Sequence, residues 1–127
     1  MSAILKMCQD IPVRTVDPGT ILFAEGKQDR SLCVLADGEV EILKDEFQVN
    51  TVSEPGAVFG EMSILLNTPH TATVRARTTC RVHMIEDGEA FLRANKDMTY
   101  DLLKIVAGRL QGVTNYLTNL NSYVRAM

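Results

Sequence analysis

Turn pairs containing glycine punctuate the first two thirds of this chain, at Pro18-Gly19, Glu25-Gly26, Asp37-Gly38 and Pro55-Gly56. Such pairs mark tight reversals of the backbone. Between and beyond them lie short apolar or β-rich runs at 20–23, 32–36, 39–43, 47–52, 72–76 and 81–85. Asp37-Gly38, flanked by LCVLA and EVEIL, carries the strongest hairpin signal, because the favoured two-residue turn needs positive φ at its centre. Val40 and Ile42 alternate with Glu39 and Glu41, as in a strand with one wet face. Short strands at this spacing predict a sandwich, roll or barrel over 11–86.

The ends of the chain read as helices. Ile4, Leu5 and Cys8 sit at helical spacing and predict a short amphipathic helix within 1–10. After Ile85, Asp87 is the expected N-cap of a helix that turns Ala90, Phe91 and Ala94 inward. A second helix is expected from about Asp97 to about Val124. On it Leu103, Val106, Leu110, Val113, Leu117, Leu120 and Val124 are spaced 3, 4, 3, 4, 3, 4, the period of a coiled-coil seam. Leu102, Tyr116 and Tyr123 widen that stripe. No charge occurs over 111–124, and Gly108 and Gly112 each weaken the helix by about 1 kcal/mol relative to alanine. A solvated helix would carry Lys and Glu there. This half is therefore expected to pack, first against a second copy of itself as a homodimer, and second against its own β unit or a bound ligand.

With 46% apolar and 23% charged residues, the 127-residue chain can bury a core as one domain, 1–127. A net charge of −3 supplies no basic face for nucleic acid. No apolar run approaches the roughly 20 residues that span a bilayer, and MSAILKMCQD does not read as a signal peptide. The expected compartment is the cytoplasm, with no membrane partner. Cys8, Cys33 and Cys80 are widely spaced without a C-x-x-C pair, so they are read as buried free thiols. His70 and His83 lie 13 residues apart with no H-x-H pair. No metal site, catalytic cofactor or nucleophile arrangement follows, and the chain is not expected to be an enzyme. His83, between Val82 and Met84, is expected to point outward.

Residues 59–76, FGEMSILLNTPHTATVRA, hold the functional signal. Gly60-Glu61 suits a strand ending in a short helix, with Met62, Ile64 and Leu65 as apolar anchors and Asn67-Thr68-Pro69 as a turn. A glycine at a helix start lets an anion approach free N–H groups and the positive dipole end. This stretch resembles the phosphate-binding cassette of cyclic nucleotide-binding domains, as found in catabolite activator proteins, kinase regulatory subunits and cyclic-nucleotide-gated channels. The family pattern runs FGE-x-A-L-L, a turn, then P-R-(A/S/T)-A-T-V. EGKQDRSLCVLADGEVEIL is similar to a second family stretch, with Gly26, Asp29, Gly38, Val40 and Ile42 in register and Cys33 in place of the usual aromatic.

The resemblance covers nearly the whole chain. It implies a mainly β domain: a flattened antiparallel β-roll (a jelly-roll-like double-stranded β-helix) over 11–86 with cassette 59–76. A short N-terminal helix would precede it and two C-terminal helices over 87–127 would follow. It also implies that Phe59, Gly60, Glu61, Met62, Ser63, His70, Thr71 and Ala72 bind the ligand. Backbone N–H groups of Gly60, Met62 and Ser63 would meet the ribose and cyclic phosphate, and Glu61 would accept from the ribose 2′-hydroxyl. Thr114, Asn115, Thr118 and Asn119 are the neutral donors of the last helix that could read a base edge. Threonine at position 71 is common in cGMP-responsive members, but it is also simply a good strand residue, so cAMP stays the default ligand with cGMP the other.

His70 occupies the family's arginine position. Arginine presents a permanently charged fork to two phosphate oxygens. Histidine cannot form that fork and ordinarily carries charge only below roughly pH 6.5. Losing one or two charged hydrogen bonds of about 1.5–3 kcal/mol weakens binding roughly ten- to a thousandfold. Two functions follow as expectations. One is a sensor that binds cAMP or cGMP and repositions its last helix toward a partner the sequence does not identify. The other is a dimerisation or interaction module silenced by His70. No helix-turn-helix, kinase, channel or cyclase segment is present, so the chain reads as a stand-alone sensor domain or a piece of a longer protein, with Met1 favouring the former.

Overall fold

The computed structural model describes residues 3–126. In chain order these form α1 (Ala3–Met7), β1 (Arg14–Val16), β2 (Ile21–Phe23), β3 (Leu32–Asp37), β4 (Val40–Lys44), β5 (Phe47–Val52) and β6 (Val58–Phe59). There follow α2 (Glu61–Leu66), β7 (Thr73–Ala76), β8 (Cys80–Ile85), α3 (Gly88–Ala94) and α4 (Lys96–Ala126). The strands build two four-stranded antiparallel sheets, ordered β1-β8-β3-β6 and β2-β7-β4-β5. This is the expected β-roll with helices at both ends.

β3 shows why the roll holds together. Its residues Leu32, Cys33, Val34 and Leu35 are all fully buried, so both faces of this strand are covered. Cys33 and Leu35 point between the sheets, where they join Phe23, Val40, Val74 and Val82. Leu32 and Val34 point the other way, into a second core with Ile4, Ile64, Leu92, Met98 and Leu102 from the helices. Each fully buried aliphatic side chain contributes about 1.5–3 kcal/mol. The first sheet is thus the shared wall of two cores, and it fixes the helices relative to the roll.

Gly38 turns β3 into β4 at φ 102, and a Cβ there would lie 2.6 Å from the Thr79 carbonyl. Only glycine satisfies both demands. The β4–β5 hairpin closes instead on Asp45 and Glu46, with φ of 51 and 71. Two successive positive φ values make a type I′-like turn without glycine. Glu25 Oε1 accepts from the Asp45 N–H at 3.0 Å and holds the turn from outside.

Several expectations are corrected. β1 and β6, of three and two residues, fell in stretches without a strand pattern. His83 is buried, not outward-facing: β8 is an inner strand covered on both sides, and His83 Nδ1 donates to the Ile11 carbonyl at 3.0 Å. The hydrogen bond makes that burial tolerable. In α3 the inward residues are Gly88 and Leu92, while Ala90 and Ala94 are exposed and Phe91 is half-buried. The cap itself is as expected, with Asp87 Oδ1 accepting from the Ala90 N–H. Of the three anchors proposed for α2, only Ile64 is buried; Met62 and Leu65 are exposed. The expected N-terminal helix is seen as α1 alone, and Met1, Ser2 and Met127 lie outside the described residues. Cys8, Cys33 and Cys80 are buried free thiols. No helix among the described residues is long and apolar enough to cross a membrane.

Candidate functional site

The site is built where β6 ends. Gly60 adopts φ 91, and a Cβ there would meet the Ser31 carbonyl at 2.7 Å and the Phe23 ring at 2.9 Å. Glycine is required by conformation and by space. The chain then enters α2, whose first-turn N–H groups have no partner inside the helix. Asn67 ends α2 in the left-handed region at φ 53. Ser63 Oγ donates to the Thr68 carbonyl and the Thr68 N–H donates to the Ser63 carbonyl, which ties the following turn to the helix.

His70 is fastened by its main chain. Its N–H donates to the Lys27 carbonyl at 2.8 Å, and its carbonyl accepts from the Gly26 N–H at 2.9 Å. The ring tilts against Phe23 with centroids 4.6 Å apart. Its Nε2 lies 3.3 Å from Asp29 Oδ2, within ion-pair range for an imidazolium. Among the described residues this buried nitrogen has no hydrogen-bond partner. Further along, Lys44 Nζ donates to the Thr71 carbonyl at 2.9 Å, and the Glu25 N–H donates to Thr73 Oγ1 at 3.0 Å. Glu25 therefore braces both the hairpin turn and the strand that leaves the site. The Asp45 N–H, and after it the Lys44 ammonium, hold its carboxyl below the ordinary value.

These segments enclose a cavity of about 260 Å³, slightly under the roughly 300 Å³ at which small-molecule pockets begin. Phe59, Gly60, Glu61, Met62, Ser63, His70, Thr71 and Ala72, the eight residues singled out from the sequence, all line it. Thr114, Asn115, Thr118 and Asn119 do not. α4 runs unbroken from Lys96 to Ala126, and its 1.5 Å rise per residue carries position 119 about 15 Å beyond Arg109. All four are exposed, and Thr118 donates its hydroxyl to the Thr114 carbonyl of its own helix. Along the heptad stripe, Leu103, Leu110, Val113, Leu117, Leu120 and Val124 are exposed and Val106 is half-buried.

Sequence reasoning missed the remaining lining residues, of which Arg109 matters most. Its Nη1 donates to Glu61 Oε1 at 2.6 Å; the Glu61 side chain is only 6% exposed and that of Arg109 50%. The acid nominated for a sugar hydroxyl is thus already paired with a cation from the last helix. One signal was available: Arg109 is the only charged residue between Lys104 and Arg125. Asn50, Phe23, Ile42, Val52, Val58, Pro69 and Val74 complete the lining. No group of three His, Cys, Asp or Glu among the described residues is placed to hold a metal.

Comparison with known proteins bears on this geometry. A family model described as the cyclic nucleotide-binding domain matches residues 13–97. A cAMP-dependent protein kinase regulatory subunit from Yarrowia lipolytica is 30% identical over 123 residues, spanning 97% of this chain and 32% of that protein. The chain thus spans about a third of that relative's length. Among solved structures, a PKAR CBD2 domain bound to Sp-2Cl-cAMPS superposes with a TM-score of 0.69 at 25% identity, over 91% of this chain and 75% of that one. The catabolite activator protein of Thermus thermophilus shares the fold with a TM-score of 0.76 at 23% identity, over 93% of this chain and 58% of that one.

Proposed function

The chain belongs to the cyclic nucleotide-binding domain family, and from that premise we propose that it is a cytoplasmic sensor that binds cAMP or cGMP and signals by repositioning α4. The observation that carries this reading is the pairing of Glu61 with Arg109 at the cavity wall. A ribose 2′-hydroxyl donating to Glu61 competes with the guanidinium for the same carboxylate. The cyclic phosphate sits against the α2 amides and His70, and the base lies along the apolar wall of Ile42 and Val52. Ligand and Arg109 then have different free energies in the two positions of α4, and that difference is the coupling. Gly108 and Gly112 flank Arg109 and weaken the helix where it must give.

The nucleotide is a ligand in this reading, not a catalytic cofactor, and the domain is regulatory, not enzymatic. The exposed stripe from Leu103 to Val124 supplies the surface for homodimer formation or for an effector protein.

A second reading is favoured by the buried Nε2 of His70, which faces Asp29 at 3.3 Å. A histidine held this way can fill the arginine position as a structural residue, leaving a silenced site and an interaction module built on α4. A thermal-shift scan separates the two. Ligand at a hundred times its dissociation constant stabilises by about 2.7 kcal/mol, which raises Tm by about 10 °C in a domain of this size. An unmoved Tm at millimolar cAMP and cGMP supports the silenced module.

A further inference from the structure

Val52, Val58 and Arg109 line the cavity described above and also a second one of about 420 Å³. The two valines are the partition between these spaces, and Arg109 of α4 is the charged side chain common to both. Ile4, Ile105 and the turn Pro55-Gly56-Ala57 form the rest of the second cavity, together with one carboxylate, Glu54. The guanidinium thus has an acid in each space. It holds Glu61 at 2.6 Å in the first, and Glu54 stands in the second.

The backbone beneath Glu54 is fixed. Its carbonyl accepts from the Ala57 N–H at 3.1 Å across Pro55 and Gly56, and Gly56 takes φ 91, the pattern of a type II turn. The Gly56 N–H donates to the Leu35 carbonyl at 2.7 Å, and the Leu35 N–H donates to the Ala57 carbonyl at 2.9 Å. The turn is therefore bonded to a fully buried residue of β3. The Glu54 side chain is exposed, and among the described residues its carboxylate has neither a hydrogen bond nor an ion pair. Arg109 is half exposed and can turn without leaving a core, whereas Glu61 is buried at the start of α2. A buried carboxylate whose cation departs needs a replacement donor. The departing cation loses less when a second carboxylate waits in the space it enters.

We propose that Glu54 is a second station for Arg109: a ligand hydroxyl that takes over Glu61 sends the guanidinium past Val52 and Val58 to Glu54. α4 is then handed from one acid to another and stays tethered to the roll. The ligand step rests on the receptor reading given above; the two stations do not. Thermal melts of the full chain carrying Glu54→Gln, Glu61→Gln or both, each with and without Arg109→Gln, test the stations. Calorimetric titration of cAMP and cGMP into the native chain and Glu54→Gln tests the ligand step. Glu54→Gln alone is expected to move Tm by about 1 °C or less. On the Glu61→Gln background it lowers Tm by about 2–4 °C, a loss that vanishes when Arg109 is replaced as well. Both nucleotides bind Glu54→Gln about two- to fivefold more weakly than the native chain, although Glu54 lines no part of the ligand cavity. A Glu54→Gln shift that is equal on both backgrounds, or that persists without Arg109, overturns the second station. Affinities that Glu54→Gln leaves unchanged overturn it too, a result the titrations give even where Glu61→Gln does not fold. Melts that follow the expected pattern, with no heat from either nucleotide, uphold the two stations and overturn the receptor reading.

Discussion

Arg109 and Glu61, 48 residues apart in sequence, meet at 2.6 Å and join the last helix to the first turn of α2. The carboxylate is almost wholly buried and the guanidinium half exposed, so the bond is worth the lower part of the range of about 1.5–3 kcal/mol for a charged hydrogen bond. Removing the arginine leaves an acid in a low-dielectric wall without its cation. Arg109→Gln is expected to lower Tm by about 5–10 °C and to raise amide hydrogen exchange across residues 103–112. Lys104→Gln is the control, because its ion pair with Asp101 is long, at 3.8 Å, and the lysine side chain is exposed. Equal shifts in the two variants would show that the Arg109 contact does not hold the helix.

Two kinds of glycine predict opposite outcomes. A Cβ on Gly88 would meet Ile64 Cδ1 at 2.4 Å and the Arg30 carbonyl at 2.9 Å, and the carbonyl belongs to backbone that the Gly88 N–H itself holds at 2.7 Å. Gly88→Ala should destabilise by about 1–3 kcal/mol. Gly108 and Gly112 have nothing within reach of a Cβ. Alanine at either should stabilise by about 1 kcal/mol, read from denaturant melts. A stabilising Gly88→Ala would contradict the packing of α3 against α2.

The three thiols should be silent in the native state. Burial raises the Cys8 pKa, and burial followed by the neighbouring Cys80 pushes Cys33 up to about 12. At pH 8 almost no thiolate forms at Cys33, and all three side chains are out of contact with solvent. A disulfide-exchange reagent should titrate no thiols in the folded protein and all three in guanidinium. Rapid native labelling of any one would place it outside the core.

Much of this architecture can be read from residues alone, because turns and alternation are local. Gly19, Gly26, Gly38 and Gly56, each marked as a turn residue, all take positive φ. The cassette was readable for the same reason: Gly60 to Ala72 is one continuous stretch, and its eight nominated residues share one cavity. What escaped is non-local. The facing of His83 depends on a carbonyl at Ile11, 72 residues away. Asn50 enters the cavity only because β5 pairs with β4, and Arg109 only because α4 packs back across the roll. The hairpin turn at Asp45 and Glu46 carries no glycine, so its chemistry was not visible either.

Glu25 gives the domain a measurable acid dependence. Its pKa is lowered from 4.5, first by the Asp45 N–H and then by Lys44. A carboxylate with a depressed pKa stabilises the fold above its unfolded value, and that contribution disappears as pH falls through the lowered folded value. Glu25→Gln should therefore melt below the native chain at pH 6, and the gap should close as pH drops below 4.5. A gap that stays constant or widens in acid would show that the carboxylate charge does not brace the turn.

The receptor reading stands or falls on calorimetric titration of cAMP and cGMP into the native chain and His70→Arg at pH 8 and pH 6. Arginine carries its charge at both pH values and presents a fork to two phosphate oxygens that histidine cannot form. The expected result is binding by both proteins, with the arginine variant tighter by roughly ten- to a thousandfold at pH 8. Heat from His70→Arg alone, at either pH, would identify a cavity that has kept its shape and lost its ligand. Heat from neither protein would contradict nucleotide recognition by this chain altogether.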